Sequence, residues 1–453
     1  MLPRRYGPPM RDANSPAPVG YHTVSPSGRD AQAESNSPST PGVSADDSAP
    51  RRSPVHIRRL DADRHFRGSF GDGDLTFALS LAFSRLVVGL LITQIALTIF
   101  PRGPFAILPS SRLSGFLSWD STWYLRLANG YRGPRDTVFF PGYPVAVHLV
   151  QMIVGNHVSL EAVGLAISWA AFVLSVPIVQ ALTRQLCSRK VARLAVVLYV
   201  WSPASVFLLA AYPVSCFVLF SAAALFCLRK DWLLAAALFA GLSTAFASFG
   251  VCVAVAVGIA ALQGRSFWKT LMLTAVSLWG ITVWVVWLAL RFHDPLVFVT
   301  QQKTFNRSSV PPFSGLVGVI VHFGDTGGTP IGLAAGNFAY TKSLNLAFAL
   351  LSLAMFIYYV VDLVSPRLRR FPPYFSVFAA LSFLLPSLSI QTFAGVPNPE
   401  AATRHTTGSV GLYPALSLLL LRKRWLLPPV LSLWICLAVV FQLVFSLGGT
   451  SPE

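Results

Sequence analysis

Long apolar runs separated by short polar segments occupy most of the chain, from about residue 75 to residue 447. Many of these runs approach about 20 residues, the length at which a helix rising about 1.5 Å per residue crosses the ~30 Å hydrocarbon layer of a bilayer. The runs are continuous rather than alternating, which excludes a membrane β-barrel. The pattern therefore predicts an all-α, polytopic membrane protein with about 11 transmembrane helices, in a range of about 10–12.

Each run predicts one helix, except the run 232–262, which is long enough for two short helices. The first span is predicted at 77–100 and is followed by a polar loop at 101–137. Further runs lie near 139–154, 160–182, 191–210, 212–228, 232–262, 270–290, 344–362, 374–393, 406–421 and 425–447.

Basic clusters between the runs predict how the chain crosses the membrane, because lysine and arginine concentrate in cytoplasmic loops. This rule places the N-terminus in the cytoplasm and the loops 101–137 and 291–343 on the outer side. One conflict of parity stays open. The loop 101–137 is placed outside and the basic loop 184–193 in the cytoplasm, so the chain must cross the membrane an odd number of times between 138 and 182. Two apolar runs lie there. Either one run is re-entrant or the basic loop 184–193 departs from the rule.

The composition agrees with this class of protein and divides the chain into two parts. Hydrophobic residues make up 54% and charged residues 12%, against about a quarter charged in soluble domains, which excludes a soluble enzyme. Residues 1–74 are rich in Pro, Ser and Arg and predict a disordered cytoplasmic tail, while 75–453 forms the multi-span domain. The tail is nearly neutral, so the net charge of +17 lies in the membrane part, where it favours orientation and lipid contact rather than nucleic-acid binding.

The first outer loop contains the segment that carries candidate chemistry, WDSTWYLRLANGY at 119–131. Apolar residues at 119, 123 and 127 predict an amphipathic helix that lies in the membrane interface. Asp120 lies between aromatic side chains, which remove water and raise the pKa of a carboxyl group, so it suits a general base. A helix N-cap formed with Ser121 is an equally weighted alternative for this aspartate.

Three stretches together resemble the PIG-V family, which comprises the second mannosyltransferase of GPI-anchor assembly and its bacterial relatives. They are WDSTWYLRLANGY with FFPGYP (119–144), SPASVF with AAY (202–212), and DPLVF with the following Gln302 and Arg307 (294–307). The order and spacing within the first stretch follow the family pattern closely. The resemblance extends from 77 to about 420 and implies a GT-C-type helical bundle.

The resemblance also implies an activity: inverting transfer of mannose from a polyprenyl-phosphate-mannose (dolichyl-type) donor to a lipid-anchored glycan on the outer or lumenal face. Asp120 would act as the general base that takes a proton from the acceptor hydroxyl. The leaving lipid phosphate needs positive partners. The outer-side candidates, for which anchoring to lipid headgroups is the alternative, are Lys303, Arg307, Arg404 and His405. Further substrate contacts are expected from Trp119, Trp123, Tyr124, Arg126, Tyr131, Tyr143 and Gln302.

Departures from the family pattern leave a second hypothesis open. After Ala-Ala-Tyr the family usually has Ser-Glu-Ser, and this chain has Val214 in place of the glutamate. A family Arg-Ser-Asn-Gly reads Ala247-Ser248-Phe249-Gly250 here. Either the acceptor differs from that of the family, or the chain is a catalytically inactive scaffold subunit of a glycolipid or cell-envelope pathway. A secondary transporter is a third hypothesis, disfavoured because the hydropathy pattern does not repeat in two halves.

Expectations for ligands and location complete this interpretation. The His, Cys and acidic residues show no metal-ligand spacing, so we expect no cofactor and no structural metal. A divalent cation bound loosely at the donor phosphate is the alternative. The expected partners are the donor, a glycolipid acceptor and membrane lipids, with a small accessory membrane subunit left open and no nucleic acid. A bacterial plasma membrane is favoured over the endoplasmic reticulum membrane.

Overall fold

The structure is a computed structural model that describes residues 73–99, 113–263, 266–321, 333–393, 396–398 and 402–448. The predicted cytoplasmic tail lies outside these residues except for Gly73 and Asp74. The first part of the predicted outer loop 101–137 also lies outside them. The described part of the chain consists almost entirely of helices.

The helices follow most of the predicted apolar runs, and several runs divide into two helices. The helices are α1 Asp74–Ile99, α2 Ser121–Leu127, α3 Gly142–Val154, α4 Leu160–Leu186, α5 Arg189–Val200, α6 Val206–Leu209, α7 Val214–Arg229, α8 Leu233–Phe246, α9 Gly250–Leu262, α10 Phe267–Ser277, α11 Trp279–Phe292, α12 Val297–Thr300, α13 Ser314–Val321, α14 Leu333–Val364, α15 Pro373–Leu384, α16 Ala402–Gly408, α17 Leu412–Arg422 and α18 Leu427–Ser446.

The helix lengths do not confirm about 11 spans. Among the described residues, four helical segments are long and apolar enough to cross a membrane: α1, α4, the part Lys342–Val364 of α14, and Arg424–Ser446, which includes α18. The pair α10 and α11 makes a fifth if its 61° bend lies within one span. Six further apolar helical segments are shorter, at 10–17 residues. The chain is a multi-pass helical membrane protein in which many helices end part-way along an apolar run.

Local sequence explains where the runs divide. Proline lacks a backbone N–H and forces the preceding residue out of the helical region. Pro203 accordingly separates α5 from α6, although a single helix was predicted for 191–210. The two short helices predicted for 232–262 are confirmed as α8 and α9.

The outer segments contain regular structure where loops were predicted. Within 291–343 lie α12, α13 and the start of α14, and strand β1 at Arg307–Ser309. β1 pairs antiparallel with β2 at Ser389–Phe393, which pairs with β3 at Val396–Asn398. A helix was predicted through 374–393, but α15 ends at Leu384, before Pro386, and the chain then extends to pair with β1.

Buried polar side chains join the first and last helices. The guanidinium of Arg85, in the middle of α1, donates to Ser205 Oγ (3.1 Å) and Gln442 Oε1 (3.0 Å), and the arginine is buried. Gln442 Nε2 donates to Thr93 Oγ1 (3.1 Å). Polar groups within a bundle need partners because lipid supplies none. This seam therefore fixes α18 against α1.

A second tie lies at the start of α1. Asp74 is buried and accepts from Arg184, from Arg189 (2.9 Å) and from Arg193 (3.1 Å). These arginines belong to the basic loop 184–193, which the sequence places in the cytoplasm. The start of α1 and this loop therefore lie at the same end of the bundle, as the predicted orientation requires.

The helix α3 bears on the conflict of parity between 138 and 182. It has 13 residues and, at about 1.5 Å per residue, a length of about 20 Å, short of the ~30 Å hydrocarbon layer. This length favours the re-entrant alternative for the run 139–154.

Candidate functional site

A cavity of about 860 Å³ lies where several helices begin or end. Asp120 directly precedes α2, Val214 begins α7, and residues 247–249 separate α8 from α9. Non-helical backbone at membrane depth is tolerated where it lines a cavity. The lining residues are Asp120, Tyr124, 138–140, 212–214, Phe217, 246–249, 299–300, 302–303, 307–309, Ser382, 385–386, 388–389, 404–405 and 408–409.

A hydrogen bond from its backbone amide holds Asp120 in the lining of the cavity. Its amide donates to the hydroxyl of Tyr212 (2.9 Å), and that hydroxyl donates to the carbonyl of Ser118 (3.3 Å). Asp120 occupies the N-cap position of α2, but its side chain makes no capping hydrogen bond. The alternative that the carboxylate serves as a helix cap is therefore wrong.

The carboxylate of Asp120 instead forms an ion pair with Arg404. Exposure of the two side chains is 4% and 14%, so both charges are largely removed from water. Burial lowers the pKa of Arg404, but the charge of Asp120, with smaller contributions from Tyr124 and Tyr212, raises the pKa above its ordinary value overall. Pairing offsets a desolvation cost that would otherwise be several kcal/mol for each ion. The site thus holds a carboxylate and a guanidinium together at the cavity surface.

The residue before Asp120 has a strained backbone. Trp119 has a φ of 62°, a left-handed conformation that costs a non-glycine residue about 1–3 kcal/mol and persists only where packing over-determines it. The indole ring contacts the rings of Phe207 (5.8 Å), Phe441 (6.2 Å) and Phe445 (5.0 Å). Aromatic packing from α6 and α18 therefore fixes the position from which Asp120 enters the cavity.

Further cationic groups reach the cavity from the segment after α12. Arg307 donates to Gln302 Oε1 (3.0 Å), and the exposed Lys303 lies between them in the chain. Arg307 belongs to β1, which is registered against Gln391 of β2. The sheet therefore positions Arg307, and with it Gln302, beside the aspartate–arginine pair.

His405 follows Arg404 in α16 and contacts the ring of Phe249 at 4.6 Å between centroids. Burial first, and then the positive charges of Arg404 and Arg307, hold the pKa of His405 well below its usual value, although Asp120 acts in the opposite direction. The imidazole is therefore neutral at pH 7. It brings a polar ring but no further positive charge to this part of the cavity.

An apolar set of side chains, here called the apolar wall, lines the same cavity. It consists of Val214, Phe217, Phe246, Ala247 and Phe249. Val214, Ala247 and Phe249 are among the positions at which the sequence departs from the family pattern. The structure therefore brings together residues from two separate motifs that the sequence alone could not connect.

Seven of the predicted site residues line the cavity, and five do not. Those in the lining are Asp120, Tyr124, Gln302, Lys303, Arg307, Arg404 and His405. Trp119 packs on α18, as described. The other four make contacts elsewhere in the protein. Trp123 stacks on Phe139, and Arg126 forms a salt bridge with Asp136 (2.6 Å). The hydroxyls of Tyr131 and Tyr143 donate hydrogen bonds to the carbonyls of Phe139 (2.9 Å) and Gly164 (2.7 Å).

These five residues pack around the segment that carries Asp120, a structural role, and they do not line the cavity; substrate contact by them stays a prediction. Arg126 illustrates this role, because its guanidinium lies 4.1 Å from the centroid of the Trp123 ring while pairing with Asp136. The amphipathic helix predicted here forms as α2, and its Tyr124, Leu125 and Leu127 are buried in the protein.

Tyr212 is the functional candidate that the sequence interpretation did not select. It holds the Asp120 amide and lines the cavity. Tyr212 is the last residue of the AAY stretch, so the sequence did contain a signal for it. The partnership of Asp120 with Arg404, across 284 positions, had no comparable local signal.

Solved structures similar to this chain include three of an oligosaccharyltransferase from Archaeoglobus fulgidus. One is tethered with an acceptor peptide containing the NVT sequon (16% identity, 82% of this chain and 54% of that chain, TM-score 0.40). One is in complex with Zn and sulfate (14% identity, 82% of this chain and 54% of that chain, TM-score 0.41). One, named AglB, is in complex with an inhibitory peptide and a dolichol-phosphate (14% identity, 81% of this chain and 55% of that chain, TM-score 0.39). The chain spans about half the length of these proteins.

No curated protein sequence matches this chain. The family model described as Mannosyltransferase (PIG-V) matches residues 98–302. This range includes Asp120, Tyr212 and the apolar wall, and it ends before Lys303, Arg307 and Arg404. The cavity therefore combines residues from within and beyond the matched segment. Residues 98–302 therefore resemble the PIG-V mannosyltransferase family, and the resemblance that their motifs predicted is confirmed over this range.

Proposed function

We propose that this protein is a membrane mannosyltransferase that uses a polyprenyl-phosphate-mannose donor and a lipid-anchored glycan acceptor on the outer or lumenal face. The observation that carries the proposal is the Asp120–Arg404 pair at the surface of a cavity that Lys303 and Arg307 also line. A base and separate cations are the two requirements for this transfer. The family match over 98–302 supports the same class of reaction.

The proposed reaction is a single displacement with inversion. Asp120 accepts the proton of the acceptor hydroxyl, and the oxygen forms a bond to the anomeric carbon from the face opposite the phosphate. The bond between that carbon and the phosphate oxygen breaks, and the lipid phosphate leaves with the electron pair. Lys303 and Arg307 stabilise the negative charge on the departing phosphate. Arg404 orients the Asp120 carboxylate through their ion pair.

The test is transfer from a labelled polyprenyl-phosphate-mannose to a membrane lipid extract by the purified protein in bilayers. The extract comes from cells that lack this gene. Asp120→Asn should lower the rate by about 10²–10⁴-fold, because general-base catalysis contributes about that much. Asp231→Asn is the matched control, since Asp231 is exposed in the loop between α7 and α8 and does not line the cavity. Wild-type rates in Asp120→Asn would remove Asp120 as the base.

A scaffold without catalysis is the second candidate function. The replacement of polar family residues by Val214, Ala247 and Phe249 on one cavity wall favours it. Complementation of cells lacking the gene separates the two, with mannolipids measured by mass spectrometry. Restoration by wild type but not by Asp120→Ala supports the transferase, whereas restoration by both supports the scaffold.

We propose no cofactor for the transfer, because Lys303 and Arg307 can balance the charge of the donor phosphate. A loosely bound divalent cation is the alternative. Activity that persists in EDTA supports the first, and activity that EDTA abolishes and Mg²⁺ or Mn²⁺ restores supports the second.

A further inference from the structure

The apolar wall is connected to the Asp120–Arg404 pair at both of its ends. Tyr212, which holds the Asp120 amide, stands two residues before Val214 in the chain. His405, which follows Arg404, contacts the ring of Phe249. The wall and the carboxylate therefore line one cavity and are joined through Tyr212 and His405, so an acceptor that reaches Asp120 enters the space that the wall also lines.

The wall is packed against α16 at Val214 and Phe217. A Cβ atom on Gly408 would lie 3.6 Å from Val214 and 3.8 Å from Phe217, so the backbone of α16 rests on the start of α7. Val214, Phe217 and Phe246 are each less than 9% exposed, whereas Phe249 is partly exposed toward the cavity. Phe249 therefore offers the accessible aromatic surface of this wall.

We propose that the apolar wall is the acceptor subsite, and that the sugar residue it receives carries no charged substituent beside the attacking hydroxyl. This inference rests on the proposed function and specifies its acceptor. A charged group placed against Val214, Ala247 and Phe249 would lose water without gaining a partner from these side chains, which disfavours its binding there. The C–H face of an uncharged sugar ring, in contrast, packs favourably on an aromatic side chain such as Phe249.

The division of charge in the cavity agrees with this assignment. The cationic groups Lys303 and Arg307 come from the segment 302–309, and the wall comes from α7, α8 and the break before α9. His405, which lies between the two, is neutral at pH 7. The donor phosphate and the acceptor ring are therefore recognised by different parts of the chain.

The identity of the acceptor residue tests the inference directly. Wild-type protein transfers labelled mannose to the lipid extract described above, and tandem mass spectrometry reads the sugar to which the new mannose is attached. We expect a residue without an amino, carboxyl or phosphate group. A charged substituent on that residue would overturn the inference while leaving the transferase intact. If no lipid takes up label from the wild type, the proposed function itself fails.

Kinetics of a wall variant test whether these side chains contact the acceptor. Phe249→Ala should raise the KM for the purified acceptor lipid by about tenfold and leave the KM for the donor unchanged. Phe239→Ala is the matched control, because Phe239 is a partly buried ring in α8 that does not line the cavity. An unchanged acceptor KM in Phe249→Ala, or a raised donor KM in its place, would contradict the assignment of the wall.

Discussion

At the scale of single residues, the buried pair of Asp120 and Arg404 dominates the energetics of the site. Each charge lies in a largely water-free environment and depends on the other for its stability. The sequence identified Asp120 through the motif that contains it, and Arg404 as a cation on a predicted outer segment. It could not show that they pair, since the contact depends on how α16 packs against α2 and α7.

Removing one partner of this pair should destabilise the protein more than removing both. Arg404→Met leaves the Asp120 carboxylate buried without its cation, and we expect a loss of about 3–5 kcal/mol. The double variant Arg404→Met with Asp120→Asn should recover much of that loss. The apparent melting temperature in detergent measures the stability of the single and the double variant. Arg126→Met is the control, because Arg126 is about half exposed and its partner Asp136 keeps hydrogen bonds from the amides of Arg132 and Gly133; an equal loss in both arginine variants would contradict the prediction.

His405 should make stability depend on pH. Its pKa is held below the ordinary value in the folded protein, while an unfolded histidine titrates near ~6.5. Below that pH the unfolded state binds more protons, so stability is lost as the pH falls, by at most about 1.4 kcal/mol per pH unit. Melting temperatures measured from pH 8 to 5 should decline less steeply in His405→Gln. The same flattening in His148→Gln, which alters an exposed histidine, would show that the effect is not specific to His405.

At the scale of elements, the hydrophobic pattern located the helices but not the points where they break. Apolar runs such as 191–210 and 374–393 have a uniform composition, so periodicity gives no sign that the chain changes direction within them. Pro203 and Pro386 are local signals for two breaks. The break at 247–249 has none, and it depends on packing between α8, α9 and their neighbours. The sheet was missed for a similar reason, because strands of three to five residues are too short to show alternation.

The helices α8 and α11 approach so closely that no space remains between them for an added methyl group. A Cβ on Gly280 would lie 2.2 Å from the Gly241 carbonyl oxygen, and backbone cannot move aside as a flexible side chain can. Gly280→Ala should therefore lower stability by about 1–3 kcal/mol or more.

The control for this variant is Gly133→Ala, because an added Cβ there meets nothing within 4 Å. Melting temperatures of the two purified variants give the comparison. Equal stability of Gly280→Ala and wild type would mean that α8 and α11 do not approach as closely as described.

At the scale of the whole molecule, the orientation in the membrane decides which compartment the cavity serves. The basic clusters predict that the segment 291–343 lies outside and that 184–193 lies in the cytoplasm. In a background without the five native cysteines, Thr304→Cys and Lys190→Cys introduce thiols at exposed positions in these two segments. A membrane-impermeant maleimide should label Thr304→Cys in intact cells and Lys190→Cys only after permeabilisation. The reverse pattern would place the proposed chemistry on the cytoplasmic side.

The hydrogen bond between Arg85 and Gln442 also sets an order of assembly. The two residues are 357 positions apart, and at about 5–20 residues per second the ribosome needs roughly 20–70 s to make the intervening chain. Ser205, the other acceptor of Arg85, follows it by 120 positions, so for the rest of that interval the arginine has only one of its two permanent acceptors, in a layer where an incompletely partnered charge is costly. Completion of α18 therefore closes the bundle, and a chain released before Gln442 is unfinished at its first helix as well as at its last.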